Sequence, residues 1–452
     1  MRLLVKVSIA SVLFFSVLTG NVEAFPTISV EVTPEMWEDR ETWFTGAVSI
    51  RGHEQEAYNF DYQVADIRGR GNSTWNGRPG NRTARDKRPI RFRFPEMQSI
   101  MGSDYEARTW ILLANHLDQS LLRLRTEAAF YLGRHLTGLN WTPSSQFVHL
   151  YVNGEYMGVY QLTDERDIYP MTTGRLSHIQ VNTDPALAEF VIERDDRANR
   201  NDERRYYDYV QVFGVVYDIR FPSGSGFRSE AQGRYVYDFL SNVSLAIRSG
   251  DWGQMQECVD IEAFIDFFIV QELIKNQDIG FSSVFMQILN QEDGGRRLVM
   301  GPLWDFDISA GNSDAAHLSG IQYFYEPGHL QAAMRHYWFG FALQVPEFQA
   351  RFLERWDEVM AVYFPQMIQR LQYMYETYAQ EFARNFERHE IMGVNVFRTP
   401  EVLMALETHG EHVAFLIEFL EARAQWLNEF WHEGGFEFRV NDPSFNRYLR
   451  GE

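Results

Sequence analysis

The sequence contains a single cysteine, Cys258, in 452 residues, so an intrachain disulfide is excluded. A chain of this length can depend on a hydrophobic core instead, and 45% of its residues are hydrophobic. Cys258 stands next to Val259 and close to Ile261. We therefore interpret it as a buried apolar side chain rather than as a nucleophile.

Lysine is also scarce, because only Lys6, Lys87 and Lys275 are lysines among the 42 basic residues. Arginine evidently serves wherever a general positive charge is sufficient. Lysine is a compact point charge, whereas arginine is a wide planar fork. Lys87 and Lys275 therefore stand either where a compact ammonium matters or where a lysine has survived by chance.

The sequence lacks an apolar run long enough for a comfortable membrane span of about 20 residues. The longest run near the N-terminus, residues 7–18, follows Arg2 and Lys6 and precedes the small-residue site Val22-Glu23-Ala24. This pattern predicts a signal peptide over residues 1–24. An uncleaved anchor is the alternative. We expect a secreted or extracytoplasmic protein (periplasm, cell surface or secretory lumen) with no membrane span after signal cleavage.

Positive charge is in deficit, with 62 acidic residues and a formal net charge of −20. This balance argues against nucleic acid as a partner. It favours a basic, Ser-rich protein substrate, although an acidic surface that only aids solubility explains the charge equally well.

The distribution of apolar residues predicts an α+β fold with a β-rich first lobe and an α-rich second lobe. Residues 26–221 are mostly strand and turn, and Asn153-Gly154 between alternating runs predicts a β-hairpin. Residues 120–133 and 261–274 predict helices, the second with Asp260 as its N-cap. No linker divides the chain, so we expect one domain over residues 25–435 and a tail over 436–452.

A glycine-rich segment follows the strand-like residues 62–67. Gly69 and Gly71, with Asn72 and Ser73 after them, would allow a backbone to approach phosphate oxygens. The segment lacks the Gly-Lys-Ser/Thr ending of a Walker loop. An ordinary glycine turn remains the alternative.

Three further segments carry charged residues next to apolar ones. Lys87 leads a strand-like alternation, which is either a site or a charged edge strand. Asp278 directly follows an apolar helix, where it is a cap or a site. Asp305 and Asp307 flank Phe306, and such a pair could hold Mg²⁺ together with phosphate oxygens or could simply form a turn.

Taken in order, these motifs resemble the CotH kinase family of spore-coat-like atypical protein kinases. The resemblance covers about residues 25–430. It rests on residues 69–75 (GRGNSTW), 87–89 (KRP), 110–115 with 118–123 (WILLAN, DQSLLR), 153–160 (NGEYMGVY), 276–278 (NQD) and 304–307 (WDFD).

The resemblance implies a divergent two-lobed protein-kinase-like fold, ATP and Mg²⁺ (or Mn²⁺) as cofactors, and phosphorylation of Ser/Thr in proteins. It implies Asp278 as the catalytic acid and Asp305 with Asp307 as metal ligands. Lys87 would contact the nucleotide phosphates. The phosphate loop would be formed by Gly69, Gly71, Asn72 and Ser73. Glu165 would pair with Lys87 or lie near the adenine.

The chain departs from the family at Ser282-Ser283, where an asparagine is usual. If that asparagine is a metal ligand, its loss weakens one metal site. The alternative function is therefore a catalytically inactive coat, envelope or adhesion protein that uses the fold for binding. Another nucleotide-dependent transfer, such as self-AMPylation, is also compatible with the motifs.

Overall fold

The computed structural model describes residues 25–71, 73–76, 87–101, 106–114, 118, 122, 124–164, 182–199, 208–222, 229–312, 325–396 and 398–438. The predicted signal peptide lies outside these residues. The described chain combines two sheets with helices, so the predicted α+β class is confirmed.

Seven strands form a closed barrel in the N-terminal part of the chain. The order around the barrel is β1-β2-β3-β4-β5-β7-β6, and β1 closes it by pairing in parallel with β6. The strands are β1 Thr27–Glu31, β2 Phe44–Arg51, β3 Phe60–Gly69, β4 Ile90–Gln98, β5 Ala107–Leu113, β6 Ser145–Val152 and β7 Glu155–Asp164. The sequence pattern had indicated strands but not their closure.

Alternating apolar residues fill the barrel. Ile28 and Val30 of β1 and Val148 and Leu150 of β6 belong to one buried cluster, as period-2 side chains on a closed sheet must. The predicted hairpin joins β6 to β7, and Asn153 and Gly154 have φ of 50° and 81°. Positive φ at both positions is the type I′ requirement, so the hairpin prediction is confirmed.

Among the described residues of the barrel segment, two α-helices occur: α1 (Ser73–Asn76) and α2 (Leu124–His135). Helix α2 connects β5 to β6 and packs against helices of the later part of the chain. The predicted helix over residues 120–133 thus exists, but it begins at Leu124 and runs to His135.

The second sheet has five antiparallel strands in the order β12-β11-β8-β10-β9. They are β8 Phe190–Arg194, β9 Tyr209–Val212, β10 Val215–Phe221, β11 Val284–Asn290 and β12 Arg296–Met300. The sequence pattern assigned strands up to residue 221 to one β-rich lobe, whereas β8, β9 and β10 belong to the second sheet, in which β8 pairs with β11. Short apolar runs such as β11 do not reveal their partners, which explains the difference.

The described part of the chain also contains further helices, some of which pack against this sheet, whereas the longest packs against β7 of the barrel. They are α3 Glu230–Ser249, α4 Trp252–Cys258, α5 Ile261–Leu273, α6 Ala332–Arg335, α7 Tyr337–Ala342, α8 Pro346–Glu358, α9 Phe364–Arg388, α10 Glu401–Met404 and α11 His409–His432. Asp260 caps α5 by accepting a hydrogen bond from Ala263 N at 3.0 Å, as predicted. Across the described residues, we find no helix with the length and hydropathy needed to cross a bilayer.

Three loops emerge at one edge of the second sheet. Val284 at the start of β11 pairs with Arg194 at the end of β8, and Met286 pairs with Met300 at the end of β12. Because neighbouring antiparallel strands start and end at the same edge, the loops after β8, before β11 and after β12 emerge together. They contain Asp195, Asp278 and Asp305.

Candidate active site at the edge of the second sheet

Asp278 opens a short 3₁₀ turn, Asp278–Gly280, between α5 and β11. Its backbone N–H donates to Asn276 Oδ1 at 3.1 Å, and its carbonyl accepts from Phe281 N at 2.8 Å. Burial is the largest effect on this carboxyl group, followed by the negative charges of Asp305 and Asp307. Together they raise the pKa of Asp278 well above its ordinary value. Asp305 and Asp307 therefore lie close enough to Asp278 to disfavour its charged form.

Asp305 is held in an unusual conformation. Its φ is 66°, in the left-handed region that residues other than glycine seldom adopt. Its Oδ2 accepts a hydrogen bond from Ser283 Oγ at 3.0 Å, and Ser283 itself has φ of 61°. Backbone strain of this kind tends to be retained where function requires it.

The loop that follows Asp305 is bonded to the end of α5. Gln277 N donates to Ile308 O at 3.1 Å, and Ala310 N donates to Ile274 O at 2.9 Å. Asp307 is buried on this loop, with 2% of its surface exposed. These backbone bonds fix the Asp305–Asp307 segment against the Asp278 turn, so the carboxylates keep a defined relationship.

A buried arginine reaches the same loop from α2. Arg125 is fully buried, forms an ion pair with Asp118, and donates from Nε to Ala310 O at 3.4 Å. Burial lowers the pKa of Arg125, while Asp118 and then Asp307 oppose that effect. The guanidinium thus offsets part of the negative charge around Asp307. No motif in the sequence marked Arg125 as functional.

The aspartate cluster suits a divalent cation bound together with phosphate. Across the described ranges, no three His, Cys, Asp or Glu side chains are grouped to hold a metal by themselves. Mg²⁺, however, commonly takes one or two protein carboxylates and completes its shell with phosphate oxygens and water. The negative charges of Asp305 and Asp307, which add to the effect of burial on the pKa of Asp278, are a charge imbalance that a cation would relieve.

The family model described as CotH kinase protein matches residues 67–427, which is most of the chain. The chain belongs to the CotH kinase protein family. No curated protein sequence matches it. The match includes the three aspartates, Ser283 and Arg125. Ser283, the residue at which we expect the family to carry asparagine, is the hydrogen-bond donor to Asp305.

The glycine segment at residues 69–71 packs against Trp75. A Cβ on Gly69 would lie 2.4 Å from the Trp75 ring, so packing alone requires glycine there. Gly71 has φ of 86°, and its carbonyl accepts from Arg40, while Arg70 N donates to Pro89 O at 3.2 Å. The Arg70 amide is therefore already bonded and would have to be released to bind a phosphate.

The glycine segment nevertheless lies near the aspartate loop. The Arg70 guanidinium is 5.9 Å from the ring centroid of Trp304, the residue before Asp305. Ser73 begins α1, but its side chain is not among those described. Asn72 and Glu165 lie outside the described residues. Their assignment to nucleotide binding stays a prediction.

Lys87 occupies a different environment from the aspartates. It is 2% exposed, and its Nζ donates to Asn385 Oδ1 at 2.7 Å and lies 5.2 Å from the Tyr160 ring centroid. Burial lowers its pKa well below the ordinary value, and no carboxylate of the described chain contributes to that shift. The structure thus brings Asp278, Asp305 and Asp307 together and places Lys87 between β7 and α9. Its phosphate-binding role remains a prediction.

Lys275 holds a loop in place through two hydrogen bonds. Lys275 Nζ donates to Glu326 O and to Gly328 O, each at 2.6 Å. Arg423 donates to the carbonyls between and after them, Pro327 O at 2.7 Å and His329 O at 2.6 Å. Burial, followed by the charge of Arg423, lowers the pKa of Lys275 to about 7. A compact ammonium fits between two close carbonyls, which accounts for lysine at this position.

Two remaining features lie apart from this chemistry. Cys258 is half-buried rather than fully buried, and burial raises its pKa to about 11, so the thiolate nucleophile is disfavoured as predicted. A cavity of about 340 Å³ lies where β5–β7 face α2 and α9, with Glu127, Arg134 and Arg370 among its lining residues. None of the predicted site residues is among those that line it.

Proposed function

We propose that this chain is an exported atypical protein kinase, which transfers the γ-phosphate of ATP to Ser or Thr hydroxyls of protein substrates in a metal-dependent reaction. The observation that carries the proposal is the convergence of Asp278 with Asp305 and Asp307 at one sheet edge, where burial and then the charges of the other two aspartates raise the pKa of Asp278. A catalytic base works best when its pKa lies near the working pH, and burial beside other carboxylates moves Asp278 in that direction.

The proposed step uses Asp278 as the proton acceptor. The hydroxyl oxygen of the substrate attacks the γ-phosphorus while Asp278 accepts the hydroxyl proton. The bond from the γ-phosphorus to the β,γ-bridging oxygen breaks, and its electron pair leaves with ADP. Asp278 then returns the proton to solvent.

Asp305 and Asp307 are the residues that would hold the metal in this proposal. When bound, Mg²⁺ or Mn²⁺ would neutralise charge on the phosphates. Ser283 orients the Asp305 carboxylate through its hydrogen bond, and Arg125 balances charge on the Asp307 side. Both effects reduce the reorganisation that the carboxylates need on binding.

The fold is consistent with two lobes of a divergent kinase. In this proposal the barrel with α2 is the N-terminal lobe, and the second sheet with its helices is the C-terminal lobe. The contact of Arg70 with Trp304 supports a nucleotide position between the glycine segment and the aspartate loop.

One observation favours a second candidate, a catalytically inactive binding protein. Ser283 stands where the family usually has asparagine, and its hydroxyl is committed to Asp305. A serine that only holds Asp305 would leave one metal site short of a ligand, and binding without transfer would result.

Labelled ATP separates these functions. We expect label from γ-labelled ATP with Mg²⁺ or Mn²⁺ on the protein itself or on a basic Ser-rich protein, and its loss in Asp278→Asn and Asp305→Asn. Asp293→Asn is the matched control, because Asp293 is a surface aspartate in the β11–β12 turn. Label from α-labelled ATP instead would indicate AMPylation. If neither γ- nor α-labelled ATP labels a protein, and nucleotide does not change the melting temperature, the result supports the inactive binding protein.

A further inference from the structure

The turn after β8 presents an arginine fixed by its own neighbours. Arg197 Nε donates to Asp195 Oδ1 at 2.9 Å, and Arg197 N donates to the same oxygen at 3.0 Å. Ala198 N closes the turn by donating to Asp195 O at 2.9 Å. One carboxylate thus fixes both the backbone and the side chain of Arg197.

This turn is attached to the Asp278 turn. Asp196 N donates to Phe281 O at 3.0 Å, and Phe281 N donates to Asp278 O at 2.8 Å. The Arg197 guanidinium carbon also lies 5.4 Å from the centroid of the Phe281 ring, within the range of a cation–π contact. Three interactions therefore hold the guanidinium beside the proposed base.

The charges around Arg197 are those of the candidate site. Burial disfavours its charged form, but the bond to Asp195 and the charges of Asp195, Asp278 and Asp305 outweigh burial and raise its pKa. In the other direction, Arg197 opposes the rise in the pKa of Asp278. The guanidinium is thus within electrostatic reach of both Asp278 and Asp305.

Most of the donors of Arg197 remain available. Its side chain is 41% exposed, and only Nε has a hydrogen-bond partner among the described residues. The two terminal nitrogens carry four N–H bonds. A guanidinium held rigidly with free terminal donors is suited to phosphate, because the fork binds two oxygens at once.

On the basis of the proposed kinase function, we propose that Arg197 binds the terminal phosphate of the nucleotide and stabilises it during transfer. Arg197 then is a catalytic residue that touches the transferred group, and Asp195 and Phe281 are its positioning residues. The competing explanation is that Arg197 only balances the charge of the aspartates and never contacts nucleotide.

ATP and ADP distinguish the two explanations, because only ATP carries the terminal phosphate. We expect Arg197→Met to weaken the affinity of the full-length chain for ATP with Mn²⁺ by about ten- to a hundredfold. The affinity for ADP should stay within about twofold of wild type. Arg197→Lys should restore only part of the ATP affinity, since it keeps the charge and loses the fork.

Arg248→Met is the matched control, because Arg248 lies 5.0 Å from the ring centroid of Phe213 in a comparable stacked contact. It should bind both nucleotides as wild type does. Equal ATP affinity in wild type and Arg197→Met would overturn the proposal for Arg197 and leave the kinase function standing. A wild-type protein that binds neither nucleotide would overturn both. If Arg197→Met does not fold, Arg197→Gln in the same ATP and ADP titrations decides the question.

Discussion

Ser283 Oγ donates a hydrogen bond to Asp305 Oδ2 at 3.0 Å, and both residues have left-handed backbone conformations. The bond connects Ser283, which directly precedes β11, to the loop after β12. Ser283 therefore has a structural role at the position where we expect the family to carry asparagine. It supplies a hydroxyl that orients a carboxylate.

Removal of that hydroxyl should weaken metal binding. We expect Ser283→Ala to raise the Mn²⁺ concentration at half-maximal label transfer by about tenfold or more, because loss of a group that orients a metal ligand has effects of this size. Titration of label transfer against Mn²⁺ measures the change. Ser249→Ala is the control, since Ser249 Oγ donates only to Ala246 O on α3 at 2.8 Å. An unchanged Mn²⁺ midpoint in Ser283→Ala would contradict this role.

Asp278→Asn should stabilise the protein while it abolishes label transfer. The pKa of Asp278 is raised in the folded state, so the folded state binds more protons than the unfolded state between the two pKa values. Stability is therefore lost as pH rises through that interval, and the asparagine removes the loss. We expect a gain on the order of 1 kcal/mol at pH 8 and a smaller gain near pH 4. Urea unfolding at both pH values measures it.

Asp293→Asn should behave in the opposite way in the same experiment. The pKa of Asp293 is lowered, first by its hydrogen bond with Arg297, so its carboxylate favours folding above the unfolded pKa. Its replacement should leave stability at pH 8 unchanged or lower. A gain in both variants would mean that the Asp278 result is unrelated to repulsion among the site carboxylates.

Lys87→Met tests whether a buried lysine serves the nucleotide or the fold. The depressed pKa of Lys87 means that its charged form costs stability, and this cost grows as pH falls toward neutrality. Asn385 Oδ1 keeps a second donor, Val159 N at 3.1 Å, when the lysine is removed. We expect a stability at pH 7 equal to or above that of wild type, together with lost label transfer. If the Lys87→Met variant still transfers label, Lys87 does not bind the nucleotide phosphates.

Arg125→Met should destabilise the chain strongly. Arg125 and Asp118 are both fully buried, so removal of the arginine leaves a buried carboxylate without its cation. Loss of one partner of a buried pair typically costs about 3–5 kcal/mol. Urea unfolding of Arg125→Met, Asp118→Asn and the double variant gives the coupling between them. Additive losses would show that the pair acts as two independent residues.

The parts of the fold that sequence predicts are local. Asn153-Gly154 specifies a turn type by itself, and Asp260 caps α5 within four residues of sequence. The closure of the barrel depends on β1 pairing with β6, which lies about 120 residues away, and neither strand records its partner in its own pattern.

The same distinction applies to the candidate site. Asp278, Asp305 and Asp307 follow apolar segments as conspicuous acidic residues, and the structure brings them together. Arg197 and Arg125 belong to other elements, and only the shared sheet edge and the packing of α2 bring them near the aspartates. The run of charged residues at 193–197, which begins within β8 and continues past its end, was the available signal for Arg197.

The repulsion among the aspartates has an evolutionary consequence. Since neutralising Asp278 is expected to strengthen the fold, random substitution and selection for stability alone would tend to erode this cluster. In a lineage that no longer required phosphoryl transfer, one substitution that neutralises Asp278 would thus be expected to give an inactive and more stable protein. The presence of all three aspartates is therefore a feature that selection for stability alone would not maintain.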